Sequence, residues 1–401
     1  MRILSKLIAG GLIVQVLVAI SVMISSRLYK PEIFGDLGWY LSFASLFSVL
    51  AALRFDYIVL SDRVKSEEKN NFFSNAVLVN LIILIVFSVV LLILNNIIYF
   101  KYNIIYLICF CFSLSFFNLM SQYLILIKDY KNYVALKTCQ VIFQIFIIVA
   151  FYYILPQDGL LLASIIPQLF IPIIYFLLKR NIFKFNFLNF KAFIRKNIAE
   201  GIKNSSLAFM QYSTPVVPVL VGGYIFDKSN IGVYFLFSQA IAAPFALIRR
   251  NVLILFNGEY NDRYKIKKLF NKIISFKNIA ITFFIFLCVL ILLILSSKYL
   301  VLVFFGSTWV SYSWLMLVLF IYYFIDALLQ PLTTLYPLWG KVNKALIFEL
   351  TRFFFVALLL PTIAFFFKIP FIWFVILFLT FMTLIYLVNF LSILSYVKRL
   401  K

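Results

Sequence analysis

Polar residues punctuate this chain; they do not alternate along it. Runs of mostly apolar positions recur from end to end, separated by short gaps where charges and prolines collect. Twelve runs are read, at 7–26, 37–60, 75–100, 103–127, 134–155, 159–178, 205–226, 231–256, 277–297, 310–335, 343–366 and 371–396. A helix of about 20 apolar residues spans the ~30 Å hydrocarbon layer of a bilayer. Helices close their own backbone hydrogen bonds in lipid, and open strands cannot. The pattern predicts an all-α polytopic membrane protein with 12 transmembrane helices.

The gaps are unequal in charge. Counting residues at run ends, such as Lys137, Arg249 and Arg250, with the gaps they border, the N-terminus, the gaps after runs two, four, six, eight and ten, and the C-terminus hold 28 of the 36 Lys and Arg residues; the other gaps hold 6. By the positive-inside rule both termini are cytoplasmic in a bacterial inner membrane. Arg2 and Lys6 ahead of an apolar run resemble a signal peptide, but the run continues past the loose cleavage-like triplet Ala19-Ile20-Ser21 to Ile24, so a retained first span is expected. Trp39, Trp309, Trp314 and Trp373 fall near the outer starts of spans, where an aromatic belt is expected.

A basic stretch after run six divides the chain into an N-terminal lobe (1–180), a cytoplasmic connector (181–204) and a C-terminal lobe (205–401). With six spans on each side, the lobes are expected as parallel repeats, related by a pseudo-two-fold axis along the membrane normal. Two faint echoes fit that symmetry. Gln15 in the first run matches Gln211 in the seventh, and Arg54 in the second matches Arg250 in the eighth, both 196 positions on.

Charges inside spans are costly, about 2.5–3.5 kcal/mol each at mid-membrane on insertion scales, so each needs a reason. Arg54, Asp56, Asp326, Glu349 and Arg352 lie clearly within runs. Asp326 is the deepest; it serves either a cavity or coupling role or as the partner of a neighbouring helix. Glu349 and Arg352 are three apart, share a helix face and can pair, with a structural ion pair as the plainer alternative to a coupling role. Arg54 and Asp56 are two apart and point different ways. Arg54, Arg249 and Arg250 lie toward the basic ends of runs two and eight. There they either snorkel to the interface or form a guanidinium patch suited to a phosphate or diphosphate. Arg54, Arg249, Arg250, Arg352, Gln15 and Gln211 are the candidate substrate-binding residues; Asp56, Asp326 and Glu349 are the candidate coupling or cavity acids. Gly10-Gly11, Pro215, Pro218, Gly222-Gly223, Pro244, Pro331 and Pro337 mark places where helices can bend.

Composition narrows the classes. Hydrophobic residues make up 65% of the chain, and a net charge of +22 carried in short loops beside apolar spans points to topology and anionic membrane lipid, not nucleic acid. There is no histidine, so histidine acid–base and metal chemistry is excluded. Cys109, Cys111, Cys139 and Cys288 show neither metal spacing nor a disulfide framework. No metal or cofactor motif is present.

Several segments resemble those of bacterial polysaccharide (O-antigen, Wzx-type) flippases, members of the multidrug/oligosaccharidyl-lipid/polysaccharide exporter superfamily. Arg27-Leu28-Tyr29-Lys30-Pro31-Glu32-Ile33-Phe34-Gly35 is similar to the family's R-L-Y-x-P-E-x-F-G, and Leu53-Arg54-Phe55-Asp56 to its L-R-[YF]-[DE]. Asn230-Ile231-Gly232-Val233-Tyr234, followed by Gln239, Ala240, Ile241 and Pro244, is similar to N-I-G-x-Y…R-I…P, with Gln239 where the family often has Arg. Phe305-Gly306 and Trp309 are similar to F-G-x-x-W. The resemblance implies two six-helix lobes that move an undecaprenyl-diphosphate-linked oligosaccharide from the inner to the outer leaflet. It places Arg54 and Asp56 near the cavity and implies a polysaccharide polymerase and a chain-length regulator as partners. Two rivals remain. One is a multidrug exporter of the same fold. The other is a polymerase-type or acyltransferase membrane enzyme, which usually needs a large external loop or a catalytic histidine. A structural scaffold has no use for buried charge.

Overall fold

The computed structural model describes residues 2–53, 55, 69–97, 101–178, 190–258, 275–333, 335–338 and 342–399. Among them there is helix and no strand. The principal helices are α1 (Arg2–Leu28), α2 (Pro31–Ala51), α3 (Lys69–Ile97), α4 (Ile104–Leu126), α5 (Tyr130–Ile154), α6 (Gly159–Leu178), α7 (Phe190–Leu220), α8 (Lys228–Gly258), α9 (Phe276–Phe304), α10 (Ser313–Thr333), α11 (Val342–Arg352) and α12 (Phe371–Arg399). A π-helical stretch, Phe353–Leu359, and a further α-helical stretch, Leu360–Phe367, prolong α11.

Eleven helical segments among the described residues are long and apolar enough to cross a membrane. Ten overlap the predicted runs within α1 to α6, α8, α9, α11 and α12, and the eleventh runs through the short 3-10 turn Ser307–Tyr312 into α10. Helix α2 ends at Ala51, well before the predicted end of run two at 60, because the chain turns at Ala52–Leu53, where Leu53 has φ 46°. The exception is the seventh run. It lies in α7, which starts at Phe190, inside the stretch assigned to the connector. The reason is local: Phe193 is buried against Phe55 and Phe72, ring centroids 5.4 and 4.9 Å away, so the helix is anchored well before its apolar part begins. Hydroxyls, Gln211 and two prolines hold that apolar part below the hydropathy of its neighbours. Beyond Pro218 the helix ends, and a single turn, Gly222–Ile225, leads into α8.

Helix ends follow their chemistry. Pro31 occupies the first turn of α2, where its missing N–H costs nothing. Asn103 caps α4 by accepting from the Ile105 N–H at 2.9 Å. Asp129 caps α5 by accepting from the Asn132 N–H at 3.2 Å.

The chain forms two compact units, Met1–Gly232 and Val233–Lys401. In the first, α1 packs on α5, α5 on α6, α6 on α4, and α4 on α2, while α2 also receives α7. One core holds Phe73, Val77, Met120, Tyr123 and Leu124. Tyr29 ties α1 down by donating to the Ile148 carbonyl at 2.9 Å, and burial pushes its hydroxyl pKa up to about 12. A Cβ at Gly159 would meet that Tyr29 hydroxyl.

In the second unit α10 packs between α9 and α12. Phe245 of α8 lies against Phe320 and Phe324, with centroids 5.5 and 6.3 Å away. Trp309 is fully buried and sits 6.4 Å from Phe237.

Candidate functional site

Two places concentrate chemistry, one in each unit. The first is a knot between the start of α2 and the start of α8. A Cβ at Gly35 would meet the carbonyl oxygen of Lys228, and one at Gly232 would meet the carbonyl oxygen of Pro31. The helices therefore touch backbone to backbone, which only glycine permits. The Lys228 ammonium sits 2.7 Å from an Asp36 carboxylate oxygen. Beside them the Trp39 ring stacks on Tyr102 at 3.9 Å, and its indole N–H donates to the Leu220 carbonyl at 3.2 Å. The Lys101 ammonium donates to the Gly223 carbonyl at 2.6 Å and the Tyr102 hydroxyl to the same oxygen at 3.2 Å. Burial raises the Tyr102 pKa, which keeps that hydroxyl a donor.

Two tryptophans, Trp39 in the knot and Trp309 in the second unit, lie deeper than expected. Trp39 and Trp309 were expected in an interfacial belt, yet both are buried, at 2% and 0% exposure. Large flat rings clamp helix ends where small residues leave room. Trp373, 59% exposed, stays on the surface. The knot also brings together two segments singled out in the sequence, Arg27–Gly35 and Asn230–Tyr234, which are distant in the chain. Their glycines fit each other's backbone.

The second place is a chain of buried charge in the second unit. Arg249 of α8 pairs with Asp326 of α10 at 2.7 Å. The Tyr386 hydroxyl of α12 lies near Asp326 and accepts from Arg352 Nη1 at 2.9 Å. Arg352 Nη2 lies 2.6 Å from Glu349, one helical turn back on α11. Asp326, Glu349 and Arg352 are 2%, 5% and 5% exposed. Two cations and two carboxylates balance, so the chain of groups is formally neutral. Buried charges are tolerated when they are paired and hydrogen-bonded. Arginine suits this role because its fork serves two acceptors at once.

One member differs. The Arg249 side chain keeps 30% of its surface exposed, against 3% for its partner Asp326. It is the most exposed end of this chain of groups. An anion competing for Arg249 would leave Asp326 unpaired and buried, a state that a proton relieves. The π-helical stretch begins immediately after Arg352. Such irregularities are frequent at functional sites because they shift the register of every side chain beyond them.

The structure thus joins four of the sequence-predicted residues, Arg249, Asp326, Glu349 and Arg352. It adds Tyr386, which nothing in the sequence distinguished among 24 tyrosines. Gln15 on α1 is half-buried, and Gln211 on α7 is exposed; both belong to the first unit. Arg54, Asp56 and the Arg250 side chain lie outside the described residues. Their neighbours Leu53 and Phe55 are buried in one cluster with Phe72 and Phe193. Among the described residues no group of three His, Cys, Asp or Glu side chains could hold a metal.

No protein-family model matches this chain, and no curated protein matches its sequence. Solved structures do match its fold. The inward-facing conformation of a multidrug resistance MATE family transporter of the MOP superfamily has TM-score 0.65 and 14% identity, covering 96% of this chain and 94% of that one. The outward-facing conformation of such a transporter has TM-score 0.53 and 15% identity, covering 100% and 96%. A crystal structure of a MATE mutant has TM-score 0.51 and 15% identity, covering 99% and 95%. The chain has the fold of these transporters.

Proposed function

We propose that this protein is a membrane transporter. Specifically, we read it as a flippase that moves an undecaprenyl-diphosphate-linked oligosaccharide from the inner to the outer leaflet of the bacterial cytoplasmic membrane. The observation that carries the reading is the partly exposed Arg249, paired with the buried acid Asp326. A guanidinium that is permanently charged and partly open is a ready partner for phosphate oxygens. The transporter fold and the Wzx-type segments in the sequence support the same reading. With both termini cytoplasmic, as the 28-to-6 charge bias indicates, Arg249 lies toward the inner leaflet, where the lipid-linked unit begins.

In this reading the diphosphate displaces Asp326 from Arg249, and the carboxylate takes a proton in exchange. The proton then crosses with the diphosphate, offsets part of its negative charge and is released with it on the outer face, a coupled cycle that alternating access permits. Arg54 and Arg250 would add cations, Gln15 and Gln211 would contact sugar, and Asp56 and Glu349 would share the coupling. The polyprenyl tail would stay in lipid. A polysaccharide polymerase and a chain-length regulator would use the delivered unit on the outer face.

Export of small molecules is the second reading, favoured by the multidrug resistance transporters that share the fold. Deletion of the gene separates the two. Flippase function predicts that the complete lipid-linked unit accumulates on the inner leaflet and surface polysaccharide is lost. Heightened drug sensitivity with surface polysaccharide intact would favour the exporter. Single unpolymerised units still reaching the surface would point to a polymerase.

A further inference from the structure

We propose that the groove between α11 and α12 is a binding site for one resident anionic phospholipid, distinct from the transported substrate. The groove encloses about 510 Å³ and is lined almost wholly by apolar carbon. Residues 344, 347, 348, 351 and 355 of α11 and its π-helical extension face 381, 385, 388, 389 and 392 of α12 across it. Helical spacing puts each set on one face. Leu384 and Val388 at its rim are 56% and 67% exposed, so the groove opens onto the surface where lipid lies.

Its polar groups are ordered along its length. At one end Lys344 projects over the rings of Tyr336 and Tyr396, 5.9 and 5.4 Å from its ammonium. The Tyr336 hydroxyl there donates to Ser392 at 2.7 Å. About two helical turns further along α12 from Tyr396 lies Asn389, roughly 10 Å away at 1.5 Å per residue. Asn389 is 4% exposed, and its side-chain nitrogen has no hydrogen-bond partner among the described residues. Buried donors are normally satisfied, so this one calls for an acceptor from outside the chain. Beyond it, toward Phe381 and Phe355, the lining is apolar.

A cation, then a buried amide donor, then an apolar trough reproduces the order of a phospholipid: phosphate, glycerol ester, acyl chain. The charge favours a phosphodiester over a diphosphate. Lys344 is the cation lining the groove among the described residues, and one positive charge balances one negative charge. The positive-inside bias places Lys344 on the leaflet rich in anionic lipid.

The test uses the purified full-length protein, mixed with phosphatidylglycerol or with phosphatidylcholine of the same acyl chains. Bound lipid is counted by native mass spectrometry. The expected result is one phosphatidylglycerol retained in preference to phosphatidylcholine. Lys344→Ala should weaken that retention about fivefold, Asn389→Leu should weaken it too, and Lys344→Arg should preserve it. Lys298→Ala, an exposed change on α9, should leave it unaltered. Lys344 is itself exposed, so its removal leaves the fold intact. Equal retention of the two lipids overturns the proposal. So does Lys344→Ala that binds as the unaltered protein does. One-for-one displacement of phosphatidylglycerol by undecaprenyl diphosphate also overturns it, and would reassign the groove to the carried lipid.

Discussion

Replacing Asp326 by Leu is the sharpest test of the buried relay. The carboxylate is 3% exposed and 2.7 Å from Arg249, with the Tyr386 hydroxyl near it. Its removal strands the Arg249 guanidinium beside that hydroxyl. Breaking a buried ion pair costs about 3–5 kcal/mol. Arg249 keeps 30% of its side chain exposed, so water recovers part of that loss, and about 2–3 kcal/mol is the expectation. For a unit of this size each kcal/mol shifts the melting point by about 2–4 °C. Asp326→Asn keeps an acceptor for both partners and should cost less, about 1 kcal/mol. The decisive measurement is a double-mutant cycle on thermal unfolding in detergent. Arg249→Leu combined with Asp326→Leu removes both charges and should recover more than about 1 kcal/mol relative to the sum of the single changes. Single effects that add to within about 0.5 kcal/mol would show that the two charges are not an energetic unit. The relay, and the joint uptake of anion and proton built on it, would then fail. The transport arm is separate. Polysaccharide export that survives neutralisation of Asp56, Asp326 and Glu349 together, with expression intact, would discard coupling through these acids.

Further outcomes follow from other contacts. Arg352→Met leaves Glu349 buried beside a methionine and should cost about 3–5 kcal/mol, and adding Glu349→Gln should restore part of it, read as detergent-solubilised yield and melting temperature. Gly35→Ala and Gly232→Ala each drive a methyl group into a backbone carbonyl and should abolish folded protein on size-exclusion chromatography. Gly11→Ala meets nothing within 4 Å and should stabilise α1 by about 0.5–1 kcal/mol. Tyr29 has a hydroxyl pKa of about 12 in the folded chain against about 10 when unfolded. Its contribution is therefore complete below pH 10 and is lost as pH rises toward 12. Tyr29→Phe should lower stability at neutral pH by about 1 kcal/mol and remove that alkaline loss, as followed by melting temperature against pH.

The apolar runs decided most of the architecture before any tertiary contact is considered. A run long enough to cross lipid must be helical, because lipid offers no partner for an open backbone. This is why the boundaries of α4, α6 and α12 lie close to those read from sequence alone. Helix caps such as Asn103 and Asp129 are equally local. The Glu349–Arg352 pair was legible for the same reason: three residues apart on one helix, the two side chains have no choice but to share a face.

The rest depends on which helices become neighbours, and apolar surface is too uniform to specify that. Arg249 and Asp326 are 77 positions apart, and Asp36 and Lys228 are 192 apart. Arg249 and Asp326 were visible as costly charges, Asp326 with an unspecified neighbouring helix as one possible partner, but nothing in the sequence joined them, and Asp36 and Lys228 did not stand out at all. Tyr386 and Asn389 carried no signal, since a tyrosine or an asparagine in a span becomes chemically distinctive only through what surrounds it. Packing likewise drew Trp39 and Trp309 away from the lipid edge and started α7 at a buried phenylalanine. Periodicity is a property of consecutive residues, whereas a site is made by residues that only folding brings within a few ångströms.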